Sequence, residues 1–313
     1  MIDNLIQHRI HKTGYALGTN ISLTTFGTLN SFGVDEAFKL IQRYEDLLTV
    51  NRGHSEMMSV NKSAGLDPVQ VSNATYSLVK TAMKYSRQNF GFNAAIGPLV
   101  KLWKIGFVGA NIPSDDDIKK RMRLIDPSDV ELDDVKQSVF LHKSGMELDL
   151  GGIAKGYIAD RIRDLWHSLG IDRGIIDLGG NVLFVGDSPN QANHKWIVGV
   201  QDPTSKRGET IENIQIGECS AVTSGIYERF LEIDGKKYHH VIDPRTGYPL
   251  KTDLAAVTVF VKNSIEGELE AKRLFFNNGP IPNWGADNDD LYGAVLVYQD
   301  GHFTTLKSVT ERE

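Results

Sequence analysis

The chain has 313 residues, 41% hydrophobic and 24% charged, with 40 acidic side chains against 34 basic ones and a net charge of −6. That length can bury a large core, and that mix excludes a collagen-like, mucin-like or mainly disordered polypeptide. A surface negative on balance repels phosphate backbones, so nucleic acid is not an expected partner, although a local pocket can still hold a phosphorylated small molecule.

A single cysteine, Cys219, excludes an internal disulfide and any multi-cysteine metal cluster, and reads as a small buried residue. The run Met1-Ile2-Asp3-Asn4-Leu5-Ile6-Gln7-His8-Arg9 carries no apolar signal core and no cysteine for lipidation. No segment approaches the roughly 18 apolar residues of a membrane span. A cytoplasmic protein is expected.

Tyr15, Leu17, Thr19, Ile21 and Leu23 alternate with smaller or more polar residues and predict a half-buried strand. Val34, Phe38, Ile41, Tyr44 and Leu48 then repeat at helical spacing behind Asp35 and Glu36 in the first turn. Ser72 reads as the N-cap of a helix carrying Leu78, Val79, Ala82 and Tyr85. Ser114-Asp115-Asp116-Asp117 opens a third helix, where the acid run is a cap and solvated face rather than a metal site.

From Val135 onward the pattern changes to short strands and glycine turns, with strands expected over 139–141 and 146–150. A helix bearing Ile158, Ile162, Leu165, Trp166 and Leu169 stops at Gly170. Strands follow over 174–178, 182–185 and 196–200, and Asp234-Gly235 turns a hairpin between 230–233 and 237–242. A strand over 254–261, a helix over 264–276 and a hairpin at Asp300-Gly301 complete the pattern. Strands and helices mix without a βαβ rhythm, which predicts an α+β fold with mixed sheets and packed helices, as one compact unit or two lobes.

The densest chemical signal is Glu147-Leu148-Asp149-Leu150-Gly151-Gly152-Ile153-Ala154-Lys155-Gly156. A strand ending in two glycines leads into a helix start, where free N–H groups and a lysine suit phosphate oxygens. The spacing matches neither a P-loop nor a dinucleotide fingerprint, and the glycines serve close strand–helix packing equally well. Ile176-Asp177-Leu178-Gly179-Gly180-Asn181 repeats the pattern. Thr223-Ser224-Gly225 and His239-His240-Val241-Ile242-Asp243-Pro244-Arg245-Thr246-Gly247 then place hydroxyls, histidine and arginine at turns, as an anion pocket needs.

Together these segments resemble the ApbE family of flavin transferases. The resemblance covers 15–306, framed by an N-terminal extension over 1–14 and a tail over 307–313. It includes Leu17-Gly18-Thr19, the stretch from Ser55 to Asn61, and Gly97-Pro98-Leu99-Val100-Lys101-Leu102-Trp103. Its longest motifs are LDLGGIAKGYIAD from 148, IDLGGN from 176, VTSGIYER from 222 and HHVIDPRTGYP from 239.

The resemblance implies FAD as ligand and substrate, FMN transfer to a Thr or Ser hydroxyl of an acceptor flavoprotein, and AMP release. It assigns FAD contacts to Leu17, Asn51, Asp149, Lys155 and the backbone near Ile242. Gly151, Gly152, Ser224, Arg245 and Thr246 are the neighbouring candidates. It places His240 as the base that takes the acceptor proton, with Asp243 as its orienting partner or as the base itself. An FAD-binding module without efficient transfer and an FAD pyrophosphatase remain alternatives.

The resemblance also implies magnesium, held by the Gly152 carbonyl and by a helix carrying Asp and, four residues later, Thr. Here those positions are Glu268 and Lys272. A charged lysine has no lone pair for a hard cation. Lys272 either neutralises phosphate in the metal's place or forms an ordinary i, i+4 pair with Glu268. A second departure is Asn93-Ala94-Ala95, where the family favours Asp, Pro and Thr.

Overall fold

The computed structural model describes residues 8–206, 208–227 and 229–307. Residues 1–7 and 308–313, within the expected extension and tail, lie outside the described residues, as does Glu228 in the motif from Val222 to Arg229.

In chain order the first elements are β1 (Arg9–Ala16), β2 (Thr19–Phe26), α1 (Phe32–Leu48), α2 (Glu56–Lys62), β3 (Val69–Gln70), α3 (Asn73–Ser86), α4 (Gly97–Trp103) and α5 (Asp115–Met122). There follow β4 (Val130–Asp133), β5 (Ser138–Leu141), α6 (Ala154–Ser168), β6 (Gly174–Asp177), β7 (Asn181–Val185), β8 (Trp196–Gln201) and β9 (Thr210–Ile216). The last are β10 (Cys219–Gly225), β11 (Phe230–Ile233), β12 (Lys236–His239), β13 (Leu254–Val261), α7 (Ser264–Phe276), β14 (Leu291–Tyr298) and β15 (Phe303–Leu306).

These elements form two compact units and make the fold α+β, as expected. Among the described residues the first unit takes 8–45, 155–224 and 253–307. Its centre is an eight-stranded sheet in the order β1-β2-β6-β7-β10-β13-β14-β15. β13, all eight residues buried, is the apolar run of an interior strand. Cys219 lies buried in β10, and burial pushes its thiol up.

α6 and α7 meet at Gly156, where a side-chain carbon would fall 2.6 Å from the Ser264 carbonyl oxygen. Only hydrogen fits there. Asp160 of α6 then accepts from the main-chain N–H groups of Ser264 at 2.8 Å and Ile265 at 3.0 Å. This carboxylate caps α7, a service the side chain of Asn263 does not perform.

The second unit takes residues 46–154 and 225–252. It holds the sheet β3-β5-β4, the hairpin β11-β12 and helices α2 to α5. Leu99, Trp103, Ile105, Ile118, Ile125 and Ile242 form a core cluster there. Ser72 and Ser114 cap α3 and α5 as predicted, accepting from Thr75 and Asp117.

Two expected strands differ. The single strand predicted around Leu17 is a hairpin, with β1 and β2 joined by Leu17 and Gly18, both at positive φ. Polar β1 lies at the sheet edge, so it lacks the apolar run that marked β13. Residues 146–150 contribute only a bridge, Glu147 beside Ile96 in parallel. Short helices α2 and α4 were not legible from periodicity, because each is seven residues long.

Candidate active site

In the first unit the IDLGGN segment is a hairpin turn. Gly179 and Gly180 both take positive φ, +72° and +78°, and the Leu178 N–H donates to the Asn181 carbonyl at 2.9 Å. That is the chemistry of a two-residue turn whose twist suits a β-hairpin, so these glycines serve the backbone first. Lys155, in the first turn of α6, donates its Nζ to the Gly179 carbonyl at 2.7 Å. The hairpin then delivers Asn181, fully buried, to the side of α7. Asn181 Nδ2 donates to Glu268 Oε1 at 3.0 Å, and Asn181 Oδ1 accepts from Ser264 Oγ at 2.6 Å.

Glu268 is 5% exposed and its second oxygen is also engaged. Lys272 Nζ lies 2.9 Å from Glu268 Oε2 and 3.1 Å from the Glu268 carbonyl. Burial alone would push the Glu268 carboxyl up. The Lys272 and Lys155 charges, with bonds from Lys272 and Asn181, overcome that and hold it below the ordinary value. The i, i+4 pairing expected on this helix is present, but with Glu268 buried and Lys272 half-buried it is not a surface pair. Leu17 and Ser224 belong to the same unit. Leu17 donates its N–H to Glu45 Oε1 at 2.9 Å, and Ser224 stands half-buried in β10.

In the second unit Asp149 is half-buried ahead of the double glycine. Its Oδ1 accepts from the Gly151 N–H at 2.8 Å, and its own N–H donates to the Ala94 carbonyl at 2.8 Å. Burial pushes its carboxyl up, Glu147 adds to that, and the Gly151 N–H and Lys101 oppose it. Asn61 brackets the preceding residue, donating to the Leu148 carbonyl at 3.0 Å and accepting from the Leu148 N–H at 2.8 Å. Asn61, 8% exposed, thus does for residue 148 what a neighbouring strand would do. Sequence reasoning noted the stretch ending at Asn61 but gave that residue no task.

Asn93, one of the departures, donates to the Ile125 carbonyl at 2.7 Å and accepts from the Ala95 N–H at 2.8 Å. It is built into the turn. Asn51 is exposed, with its N–H on Thr49 Oγ1 at 3.2 Å.

The segment from His239 to Leu250 is closed by the bridge between Ile242 and Pro249. Trp103 Nε1 donates to the Gly247 carbonyl at 2.9 Å and pins this turn to the core cluster. Asp243, 7% exposed, accepts at Oδ1 from the Arg245 N–H at 2.9 Å and Arg245 Nε at 2.8 Å. Its Oδ2 accepts from Arg245 Nη2 at 2.9 Å. The carboxylate expected to orient His240 is therefore bound by Arg245 instead. Arg245 offers a planar fork two residues away, and the tight turn brings main chain and guanidinium to the same acceptor.

His240 Nδ1 instead lies 3.2 Å from the Arg229 carbonyl. A carbonyl only accepts, so Nδ1 carries the proton and the lone pair of the neutral ring is on Nε2. His239 bonds through Nε2 to the Leu250 carbonyl at 2.8 Å, and burial lowers its pKa. Thr246 sits in the same turn, donating its N–H to the Asp243 carbonyl at 3.2 Å.

The predicted residues thus fall in two sets. Leu17, Lys155, Ser224 and Glu268 belong to the first unit. Asn51, Asp149, Gly151, Gly152, His240, Ile242, Asp243, Arg245 and Thr246 belong to the second. Among the described residues no group of three or more His, Cys, Asp or Glu side chains could hold a metal ion, and no helix is long and apolar enough to cross a membrane.

Comparison with known proteins places these features in a family. The model of the ApbE family matches residues 17–280. A Klebsiella pneumoniae protein named FAD:protein FMN transferase is 46% identical over 79% of this chain and 78% of its own length. A Treponema pallidum protein of the same name is 38% identical over 77% and 70%. The crystal structure of an ApbE protein from Thermotoga maritima, 27% identical, superposes with a TM-score of 0.86, covering 98% of this chain and 100% of that one. With its double-glycine turns and its His239–Pro249 segment all inside the matched span, the chain belongs to the ApbE family.

Proposed function

We infer that the chain is an FAD:protein FMN transferase. The observation that carries this reading is the 46% identity, over most of both chains, to a relative bearing that name. In this reading the acceptor is a Thr or Ser hydroxyl of a flavoprotein. Its oxygen attacks the phosphorus on the FMN side of FAD, the bond from that phosphorus to the bridging oxygen breaks, and AMP leaves with that oxygen.

His240 is the base of this proposal. Its Nδ1–H is committed to the Arg229 carbonyl, which puts the ring's lone pair on Nε2, where it takes the hydroxyl proton. Asp243 and Arg245 act on His240 through the shape of their turn. The diphosphate of FAD carries two negative charges on a chain that is acidic overall, so local positive groups must face it. Lys155 and the main-chain N–H groups around Gly151 and Gly152 are the candidates, with Asp149 holding that turn through Gly151. Leu17, Asn51, Ser224, Ile242 and Thr246 remain the proposed flavin-side and turn contacts.

The magnesium implied by the family fits this chain poorly. Of the residues expected to hold it, Lys272 has no lone pair to give, and both carboxylate oxygens of Glu268 already accept bonds. No step is assigned to a metal.

Mass spectrometry of an acceptor protein after incubation with FAD tests the reading. Covalent FMN on a Thr or Ser, with stoichiometric AMP, is the expected result. AMP and FMN without labelling indicate a pyrophosphatase, and bound FAD without AMP indicates a binding module. Either would overturn transfer.

A further inference from the structure

The pair on α7 is more than a missing metal site. We propose that the Lys272 ammonium supplies, from within the protein, the positive charge that the family resemblance assigns to magnesium, so that this chain binds and uses FAD without a divalent cation. The inference rests on the FAD reading above.

Three observations carry it. Both oxygens of Glu268 are engaged, one by Asn181 at 3.0 Å and the other by Lys272 at 2.9 Å. Asn181 is itself fixed by Ser264 Oγ at 2.6 Å, so it is not a loose partner that an ion could push aside. Lys272 is held twice, by the carboxylate and by the Glu268 carbonyl, with its side chain only 18% exposed.

Magnesium needs near-octahedral oxygen coordination at about 2.0–2.1 Å. An ion seated on Glu268 would have to compete with the Asn181 amide for one oxygen and share the other with the Lys272 ammonium. Like charges at that range in a partly dry environment repel strongly. The cluster also has a useful charge balance. Lys155 and Lys272 both act on Glu268, so among these three side chains two positive charges stand against one negative charge. A diphosphate can use the positive excess. With a carboxylate and a threonine in the same positions, Lys155 and the carboxylate would only cancel, and a metal ion would have to supply the positive charge.

The test uses the full chain stripped with EDTA and titrated with FAD, followed by flavin fluorescence, without acceptor and with or without added magnesium chloride. The expected result is the same FAD affinity in both conditions, and equal acceptor labelling where acceptor is supplied. Lys272→Thr should bind FAD about tenfold more weakly in EDTA, the size expected for losing a charged hydrogen-bonding group, and regain affinity with magnesium. Lys272→Arg keeps the charge and should keep metal-independent binding, which covers the case in which the threonine variant fails to fold.

If stripped wild-type protein loses FAD affinity about tenfold and magnesium restores it, the inference is overturned while transfer stands. If no condition yields labelled acceptor, transfer fails, and the FAD titrations still decide the role of Lys272.

Discussion

The Lys155 ammonium donates to the Gly179 carbonyl at 2.7 Å and so ties the first turn of α6 to the hairpin between β6 and β7. The same hairpin delivers Asn181 to Glu268, and Glu268 holds Lys272. Two segments that resemble each other in sequence, each with a double glycine, thus have different work. The pair at 179–180 turns a hairpin, whereas the pair at 151–152 precedes a helix whose first turn supplies the lysine.

The hairpin glycines are expected to differ in cost when substituted. Both have positive φ, which costs a side-chain-bearing residue about 1–2 kcal/mol. A carbon on Gly180 would meet nothing closer than the Thr223 carbonyl oxygen at 3.6 Å, so Gly180→Ala should lose only that amount. A carbon on Gly179 would lie 2.1 Å from Thr19 Oγ1, adding overpacking of about 1–3 kcal/mol. Urea denaturation of the two variants should rank them in that order. Equal midpoints would mean that the turn is not formed as described.

Asp243→Asn should loosen the turn that presents His240. The amide oxygen can still accept from the Arg245 N–H and Nε, but the Nη2 bond to Oδ2 and the negative charge are lost. Arg245 is half exposed, so solvent shares the loss, and about 1 kcal/mol of stability is expected to go. The transfer rate should fall more than FAD affinity does, because Asp243 acts through the position of the turn. Comparing FAD titration with single-turnover labelling separates the two effects, and an unchanged rate would remove the turn from the mechanism.

Long apolar and periodic segments were legible in the sequence, as β13, α1, α3 and α7 show, because burial imposes their pattern directly. The hydroxyl caps Ser72 and Ser114 were legible for the same local reason. β1 was not. Its residues are polar and its place at the sheet edge is settled by pairing with β2 through a turn at Leu17, which no periodicity announces. At the site, spacing alone put Glu268 and Lys272 on one helix face. It could not show that Glu268 is buried against Asn181, 87 positions earlier in the chain. The pairing of Asp243 with Arg245 rather than His240 was likewise out of reach. All three lie within six residues, and only the fold of the turn chooses between them.

His239 gives the protein a pH dependence of known sign. Burial lowers its pKa from the usual 6.5, against the bond to the Leu250 carbonyl. The folded protein therefore binds this proton less readily than the unfolded chain. The stability tied to the neutral ring is complete above 6.5 and is lost as pH falls below it, until the lowered folded-state value is reached. His239→Gln can still donate to the Leu250 carbonyl and cannot titrate, so its stability should vary less over that interval. Thermal unfolding from pH 7.5 down to about 5 measures the difference, and parallel curves would rule the assignment out.

His240→Ala is the most direct test of the proposed chemistry. The imidazole is exposed, so its removal should leave the fold intact. A general base accelerates a step by about 10²–10⁴-fold, and labelling in a single turnover should slow by that factor. FAD affinity should change by less than about twofold, because the ring is assigned the acceptor's proton and not the binding of the diphosphate. His240→Gln sharpens the comparison. It is polar and similar in reach, but its amide is not basic, so it should be as slow as the alanine variant. Were the glutamine protein to label at the wild-type rate, the ring would be a spacer, and the proton would have to leave by another group.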